Sequence, residues 1–321
     1  MKTLITGGAG FIGSHLVDAL LEDGHEVRVL DNFSTGHRSN LAGVDVEVVE
    51  GDLRWFECVS AATRGIDVVF HQGALPSVPR SIQDPLTSNA VNVEGTLNAL
   101  LAARDRGVRR VVIASSSSVY GDAPGMPRRE DHAVAPVSPY AVSKLAAERH
   151  TLVANQVYGL ETVALRYFNV FGERQDPSSS YAAVIPKFIR IMLTGRRPTI
   201  FGDGHASRDF THVENVVVAN LAAATAPSAA GGVFNIAMNQ THTINELAST
   251  LNELLGTSLP PVYLDSRPGD VLESLADISS AREALAYNPT VDFQTGLQRT
   301  ATWIAERMPA LESTAWALFA A

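Results

Sequence analysis

The chain has 321 residues, 45% of them hydrophobic and 18% charged, with a formal net charge of −9. That length fits one large domain with a smaller lobe, and the acidic balance argues against a nucleic-acid partner, which needs a basic face. A single cysteine, Cys58, excludes a disulfide framework and any multi-cysteine zinc site.

The run Met1–Ile5 is too short for a signal peptide and reads as a first strand. No stretch reaches the ~20 apolar residues that span a bilayer. A cytoplasmic protein with no membrane partner and no metal is the expectation. Further strands are expected at Glu26–Leu30, Val44–Val49, Val68–Phe70, Arg110–Ala114 and Glu161–Arg166. Between them, helices are expected at Gly13–Glu22, Pro85–Asp105 and Val142–Gln156, the last opened by Ser138-Pro139. Strand–helix alternation predicts an α/β fold: a Rossmann-type, doubly wound parallel sheet over residues 1–168. After Phe168 the loops lengthen and gain Gly, Pro and Asp, around helices such as Ala183–Leu193. Residues 169–207 and 237–321 are expected to form a smaller C-terminal α/β substrate lobe. Residues 208–236 are expected to return to the main domain through a helix at Phe210–Thr225 and a strand at Val233–Ile236.

Gly7, Gly10 and Gly13 form a Gly-x-x-Gly-x-x-Gly run directly after a strand and before a helix. Gly7 permits the tight turn, Gly10 lets backbone approach a pyrophosphate, and Gly13 allows close helix–strand packing. The helix N-terminus then faces the phosphates with free N–H groups and its positive dipole end. Asp31 closes the second strand, 18 residues beyond Gly13. A carboxylate there accepts from adenosine ribose hydroxyls and repels a 2′-phosphate, which favours NAD over NADP. Asn32, Ser34, Thr35 and Gly36 continue the loop around that ribose, and Asp52-Leu53 is placed to meet the adenine.

Tyr140-x-x-x-Lys144 puts both side chains on one helix face. A free tyrosine, with a pKa of ~10, is a poor base at neutral pH. A nearby ammonium and the positive nicotinamide would stabilise its phenolate and lower that value. The run Ser115–Ser118 follows the buried strand Val111-Val112-Ile113, at the strand end where doubly wound folds bind ligands. Its hydroxyls can hold a reacting oxygen and relay its proton, which makes Ser116 and Ser117 catalytic candidates beside Tyr140 and Lys144.

With these motifs in this order, the chain resembles the extended short-chain dehydrogenase/reductase family, and more narrowly its NAD-dependent nucleotide-sugar epimerases and dehydratases. The resemblance extends through His71-Gln72-Gly73-Ala74, Asn92–Thr96, Arg166–Gly172, Phe201–Gly204, Arg208-Asp209-Phe210 and Arg267–Asp270. It implies NAD contacts at Gly7, Phe11, Ile12, Asp31, Asp52, Leu53, Asn92, Tyr140 and Lys144, with Gln72, Ala74 and Tyr167 beside them. It also implies nucleotide-diphosphate contacts at Asn169, Arg208, Arg267 and Asp270. The chemistry agrees, because arginines neutralise a diphosphate with charge-assisted bonds and Asp270 can accept from a ribose hydroxyl.

Similar hexose 4,6-dehydratases carry Thr-Asp-Glu just before Val-Tyr-Gly, and the Asp-Glu pair drives elimination. Ser116, Ser117 and Ser118 occupy those positions here, so the resemblance favours the 4-epimerases. The segment His71–Ile82, containing Ser77, resembles the bacterial branch acting on UDP-N-acetylhexosamines. So does Tyr181–Lys187, containing Ala183, Val184 and Lys187. Ser274 stands where epimerases restricted to plain hexoses carry a bulky Tyr, which leaves room for a 2-N-acetyl group without forbidding the smaller sugar. The expected reaction is C4 epimerisation of UDP-GlcNAc/UDP-GalNAc, together with UDP-glucose/UDP-galactose. A UDP-glucuronate 4-epimerase or a dehydratase is the alternative. The resemblance also implies a homodimer.

Overall fold

The computed structural model describes residues 1–177, 182–266 and 272–319, with side chains described as far as residue 308. The first half alternates β1 (Lys2–Thr6), α1 (Phe11–Glu22), β2 (Glu26–Asp31), β3 (Glu47–Glu50), α2 (Phe56–Ala62) and β4 (Val68–His71). Short helices α3 (Val78–Gln83) and α4 (Pro85–Asn89) lead into α5 (Gly95–Arg106), then β5 (Arg110–Ser116), α6 (Pro139–Tyr158) and β6 (Glu161–Tyr167). The lobe and the returning segments comprise β7 (Val170–Phe171), α7 (Val184–Leu193), β8 (Thr199–Phe201), β9 (Ser207–Arg208), β10 (Thr211–His212) and α8 (Val213–Thr225). They continue with β11 (Val233–Ile236), β12 (His242–Thr243), α9 (Ile244–Leu255), β13 (Val262–Leu264), α10 (Ser279–Leu285) and α11 (Phe293–Phe319).

Seven strands form one parallel sheet in the order β11-β6-β5-β4-β1-β2-β3. The order reverses at β1 and β4, which leaves a crevice at their C-terminal ends. The central strands are continuous apolar runs such as Val68-Val69-Phe70 and Val111-Val112-Ile113 because helices cover both faces. One face packs α1 and α8 through Leu16, Leu20, Val216 and Ala219. The other packs α2 and α5 through Val59, Ala99, Leu100 and Ala103. A third core lies in the lobe, where Phe188, Ile189, Leu247, Leu251, Leu297 and Ile304 join α7, α9 and α11. Residues 276–287, expected in the lobe, pack Ala276, Ile278, Ala281, Leu285 and Tyr287 into the first of these cores.

Two expected helices differ from the structure. The stretch 85–105 is interrupted by a π-turn at Ala90–Glu94 that divides α4 from α5. Helix α8 starts at Val213, not Phe210, because His212 ends a short strand and its Nδ1 accepts from Glu214 N at 3.3 Å. Helix α6 begins as the Ser-Pro pair predicts: Ser138 Oγ accepts from Ala141 N at 3.1 Å, Pro139 follows, and Gly159 ends the helix at φ +67°. Among the described residues no helix is long and apolar enough to cross a membrane, and no cluster of His, Cys, Asp and Glu could hold a metal ion.

Candidate active site

A cavity of about 900 Å³ runs along the C-terminal edge of the sheet, from the glycine loop to Ser274. At its cofactor end Gly7 takes φ +69°, and a Cβ there would stand 2.7 Å from Gly73 Cα. A Cβ on Gly13 would run into the Gly7 carbonyl. The bare backbone makes a cradle that any side chain would fill. Gly10 precedes α1 without a side-chain cap, and with Phe11 and Ile12 it lines the cavity. First-turn N–H groups and the helix dipole are left for an anion.

Asp31 is buried beside this cradle. Its Oδ2 accepts from Ala9 N at 2.9 Å and its Oδ1 from Phe33 N at 2.8 Å, and each oxygen keeps a lone pair for a ribose hydroxyl. Asn32, Ser34 and Thr35 line the cavity next to it. Gly36 does not. A Cβ on it would stand 2.8 Å from Ala9 C, so it lets the next residues brace the glycine loop, where His37 N and Asn40 Nδ2 reach Ala9 O at 3.0 and 2.9 Å. Asp52 and Leu53 line the same end. Hydrogen bonds from Arg54 hold the Asp52 carboxyl down at about 2, with Asn32 Nδ2 adding a bond at 2.9 Å. These glycines, the uncapped helix and the ribose-facing carboxylate fit NAD.

Gln72, Ala74 and Tyr167 line the middle of the cavity. The Tyr167 hydroxyl donates to Gln72 Oε1 at 3.1 Å and accepts from Asn220 Nδ2 at 2.8 Å, while burial pushes its pKa up. Asn92, expected at the cofactor, is not among the residues lining the cavity. It is buried off the cavity in the π-turn, where its Oδ1 accepts from Leu75 N at 2.8 Å and its Nδ2 donates to Ser143 Oγ at 3.0 Å and Leu75 O at 3.3 Å. Both ends of its amide are engaged in joining the 75 loop to α6, so Asn92 braces the wall beside the cavity.

Tyr140 and Lys144 project from α6 into the cavity opposite Ser116 and Ser117 on the β5 end. Ser116 and the Tyr140 phenol share this stretch of wall, and the Ser116 hydroxyl opposes the rise in the Tyr140 pKa. Ser116 Oγ also accepts from Ser118 N at 3.2 Å and Ser118 Oγ at 2.9 Å. With those acceptor positions filled, its own proton is left free to donate. Lys144 Nζ donates to Ala114 O at 2.6 Å, and burial lowers its pKa to about 8. The expected lowering of the Tyr140 pKa is not built into the chain. Tyr140 is half-buried in the cavity wall, and desolvation there pushes its pKa up against the opposing effect of the Ser116 hydroxyl. Beneath the pair, His71 bridges Thr6 and Thr96 at 2.8 and 3.0 Å. Burial, with the Lys144 charge adding, holds His71 near 3, hence neutral.

At the substrate end Asn169, Arg208, Ala183 and Ser274 line the cavity. Asn169 Nδ2 donates to Asp209 O at 3.1 Å and Ser274 Oγ at 3.4 Å, and Arg208 Nη1 to Ser207 O at 2.8 Å. Three expected contacts lie off the cavity wall. Ser77 caps α3, its Oγ accepting from Arg80 N at 3.1 Å. Val184 opens α7 with its side chain half-buried, and Lys187 is exposed one turn later. Arg267, Asp270 and Tyr181 lie outside the described residues.

Two groups of site residues have no sequence expectation. Glu148, eight residues after Tyr140 on α6, is fully buried. It accepts from Ser115 Oγ at 2.7 Å and from Arg166 Nε and Nη2 at 2.9 and 2.7 Å. It thereby ties the helix carrying Tyr140 and Lys144 to both strands beside it. Its spacing four residues beyond Lys144 was the available signal. Arg174 and Gln175 also line the cavity from the loop after β7, a position that no local pattern reveals.

Residues 3–237 match the NAD dependent epimerase/dehydratase family. A UDP-glucose 4-epimerase from Mycolicibacterium smegmatis is 39% identical over 311 residues, covering 94% of this chain and 97% of that protein. The solved UDP-N-acetylglucosamine 4-epimerase of Methanobrevibacter ruminantium, in complex with UDP-N-acetylmuramic acid, superposes with a TM-score of 0.91 at 41% identity, over 96% of this chain and 99% of that one. The Thermus thermophilus UDP-glucose 4-epimerase complex with NAD gives a TM-score of 0.87 at 38% identity, over 94% and 98%. The chain belongs to the NAD dependent epimerase/dehydratase family.

Proposed function

We propose that the chain interconverts the C4 epimers of a UDP-sugar through a 4-keto intermediate, with NAD held at the glycine-loop end of the cavity. The carrying observation is one cavity, continuous from the glycine loop to Ser274, that Ser116, Tyr140 and Lys144 line together. Bound NAD supplies a hydride acceptor and donor, and the positive charge of its ring opposes the burial that raises the Tyr140 pKa. Tyr140 takes the proton of the sugar 4-hydroxyl, and Ser116, held by Ser118, steadies the phenolate with its own proton. Lys144 keeps a buried positive charge below about pH 8 at the same wall. The keto sugar turns about its diphosphate linkage, C4 regains hydride on the other face, and Tyr140 returns the proton.

Ser117 and Ser118 carry no carboxyl group, so water elimination has no acid/base pair at those positions. Asn169 and Arg208 are assigned to the UDP end, with Arg267 and Asp270. Ser274 is assigned to the space beside the sugar C2, admitting an N-acetyl group. A homodimer is supported by exposed apolar side chains on α3, α4 and α6: Ile82 at 64%, Leu86 at 83%, Val142 at 53% and Val157 at 65%. Light scattering tests it.

The function is tested by offering UDP-GlcNAc, UDP-glucose and UDP-glucuronate separately and following the anomeric NMR signals. The expected result is a mixture of C4 epimers from the first two. A 4-keto-6-deoxy product overturns the epimerase reading, and conversion of UDP-glucuronate alone moves the assignment to a uronate enzyme.

A further inference from the structure

The loop after β7, Glu173–Asp176, is tied to the cofactor half at three points. His15 Nε2 meets Glu173 O at 2.9 Å, Arg174 Nη2 donates to Asp18 Oδ2 at 2.5 Å, and Asp176 stands 3.8 Å from His37 Nε2. His15 and Asp18 follow Phe11 by four and seven residues, so one face of α1 meets this loop. From the lobe side Glu173 is fixed by His212 and Arg299, at 3.0 and 2.9 Å. Arg174 itself adopts φ +64°, a conformation that non-glycine residues rarely hold without surrounding constraint.

This well-anchored loop leaves two polar atoms without partners. Arg174 Nη1 and Gln175 Oε1 are shielded from solvent and make no hydrogen bond among the described residues, although both residues line the cavity that Gly10 and Phe11 also line. The Arg174 side chain is 25% exposed, yet its shielded, unpaired Nη1 is costly and calls for an acceptor, most effectively an anion. Asp18 satisfies only the Nη2 side and is itself partly exposed.

We propose that Arg174 binds the diphosphate of the cofactor from the side opposite the glycine loop. The strap 173–176 then holds the cofactor in place through both halves of the reaction. The inference rests on the NAD reading above. The cofactor's diphosphate is favoured over the substrate's because all three ties of the strap reach elements around the glycine loop, whereas Asn169, Arg208 and Ser274 gather elsewhere in the cavity. An enzyme that returns hydride to its starting carbon gains nothing from releasing the cofactor between steps, and a clamp supplied by the second lobe suits that chemistry.

The test is calorimetric titration of cofactor-free protein with NAD, ADP, adenosine and UDP. For Arg174→Gln the expected result is ~10- to 100-fold weaker binding of NAD and ADP, with adenosine and UDP unchanged, as for loss of a charged hydrogen bond. Asp18→Asn removes the brace but no ligand contact, and a smaller loss with the same ADP-over-adenosine selectivity is expected. Thermal unfolding of the cofactor-free variants separates these effects from misfolding. ADP affinity within about twofold of the parent, equal loss of adenosine and ADP, or loss confined to UDP each overturns the proposal. Failure of the unaltered protein to bind NAD or ADP overturns the NAD reading itself.

Discussion

The two ends of the cavity are built differently. At the cofactor end the binding groups are largely backbone: the Gly7 turn, the uncapped start of α1, and one carboxylate, Asp31, closing β2. They all come from the first 31 residues and depend on a strand–turn–helix geometry that the sequence spells out locally. At the substrate end Asn169 precedes β7, Arg208 lies in β9 and Ser274 belongs to a distant stretch of chain, joined to the others through its bonds with Ser207 O and Asn169 Nδ2. Backbone recognition tolerates little change in shape but much in side chain. Side-chain recognition has the opposite tolerance, and single substitutions there should alter choice of substrate before they alter folding.

The largest expected effect lies where the two ends meet. Tyr140→Phe should lower turnover on the order of 10³- to 10⁴-fold while leaving NAD binding intact, measured by UDP-sugar interconversion and cofactor titration. Breaking the support beneath that centre should act on stability instead. Arg166→Met leaves Glu148 buried without its cation and should cost ~3–5 kcal/mol in denaturant unfolding. Ser274→Tyr should reduce kcat/KM for UDP-GlcNAc by ~10- to 100-fold with UDP-glucose largely spared, because added bulk rejects the larger sugar. Equal loss on both sugars would remove Ser274 from the C2 side.

The smallest effect concerns the joint between the halves. Burial would raise the Glu173 pKa, but bonds from His212 and Arg299 outweigh it and hold the group at about 2, below its ordinary 4.5. Its folded pKa is depressed, so its stabilisation is present above pH 4.5 and is lost as pH falls toward 2. Glu173→Gln should therefore unfold more easily at pH 7 and show a shallower loss of stability across that acid window.

The sequence made the same division visible. The parallel sheet, the glycine loop, Asp31 and the Tyr140–Lys144 helix were legible because each depends on short-range spacing. The π-turn at Asn92, which turns the amide toward Leu75 and Ser143, was not legible, because a π-turn leaves no mark in apolar periodicity. Ser77 and Lys187 follow from motif alone, and the structure places the one as the cap of α3 and the other exposed on α7. Arg174 was invisible because its role depends on α1, more than 150 residues earlier in the chain. The Tyr140 pKa was expected to fall on charge alone, and burial works against that charge.

The central claim is that hydride leaves and returns to the same sugar carbon. The direct measurement uses UDP-glucose deuterated at C4, incubated with the NAD-loaded protein in ordinary water, with the product read by NMR. The account predicts UDP-galactose that retains deuterium at C4. Loss of the label to solvent, or a dehydrated product, would contradict it.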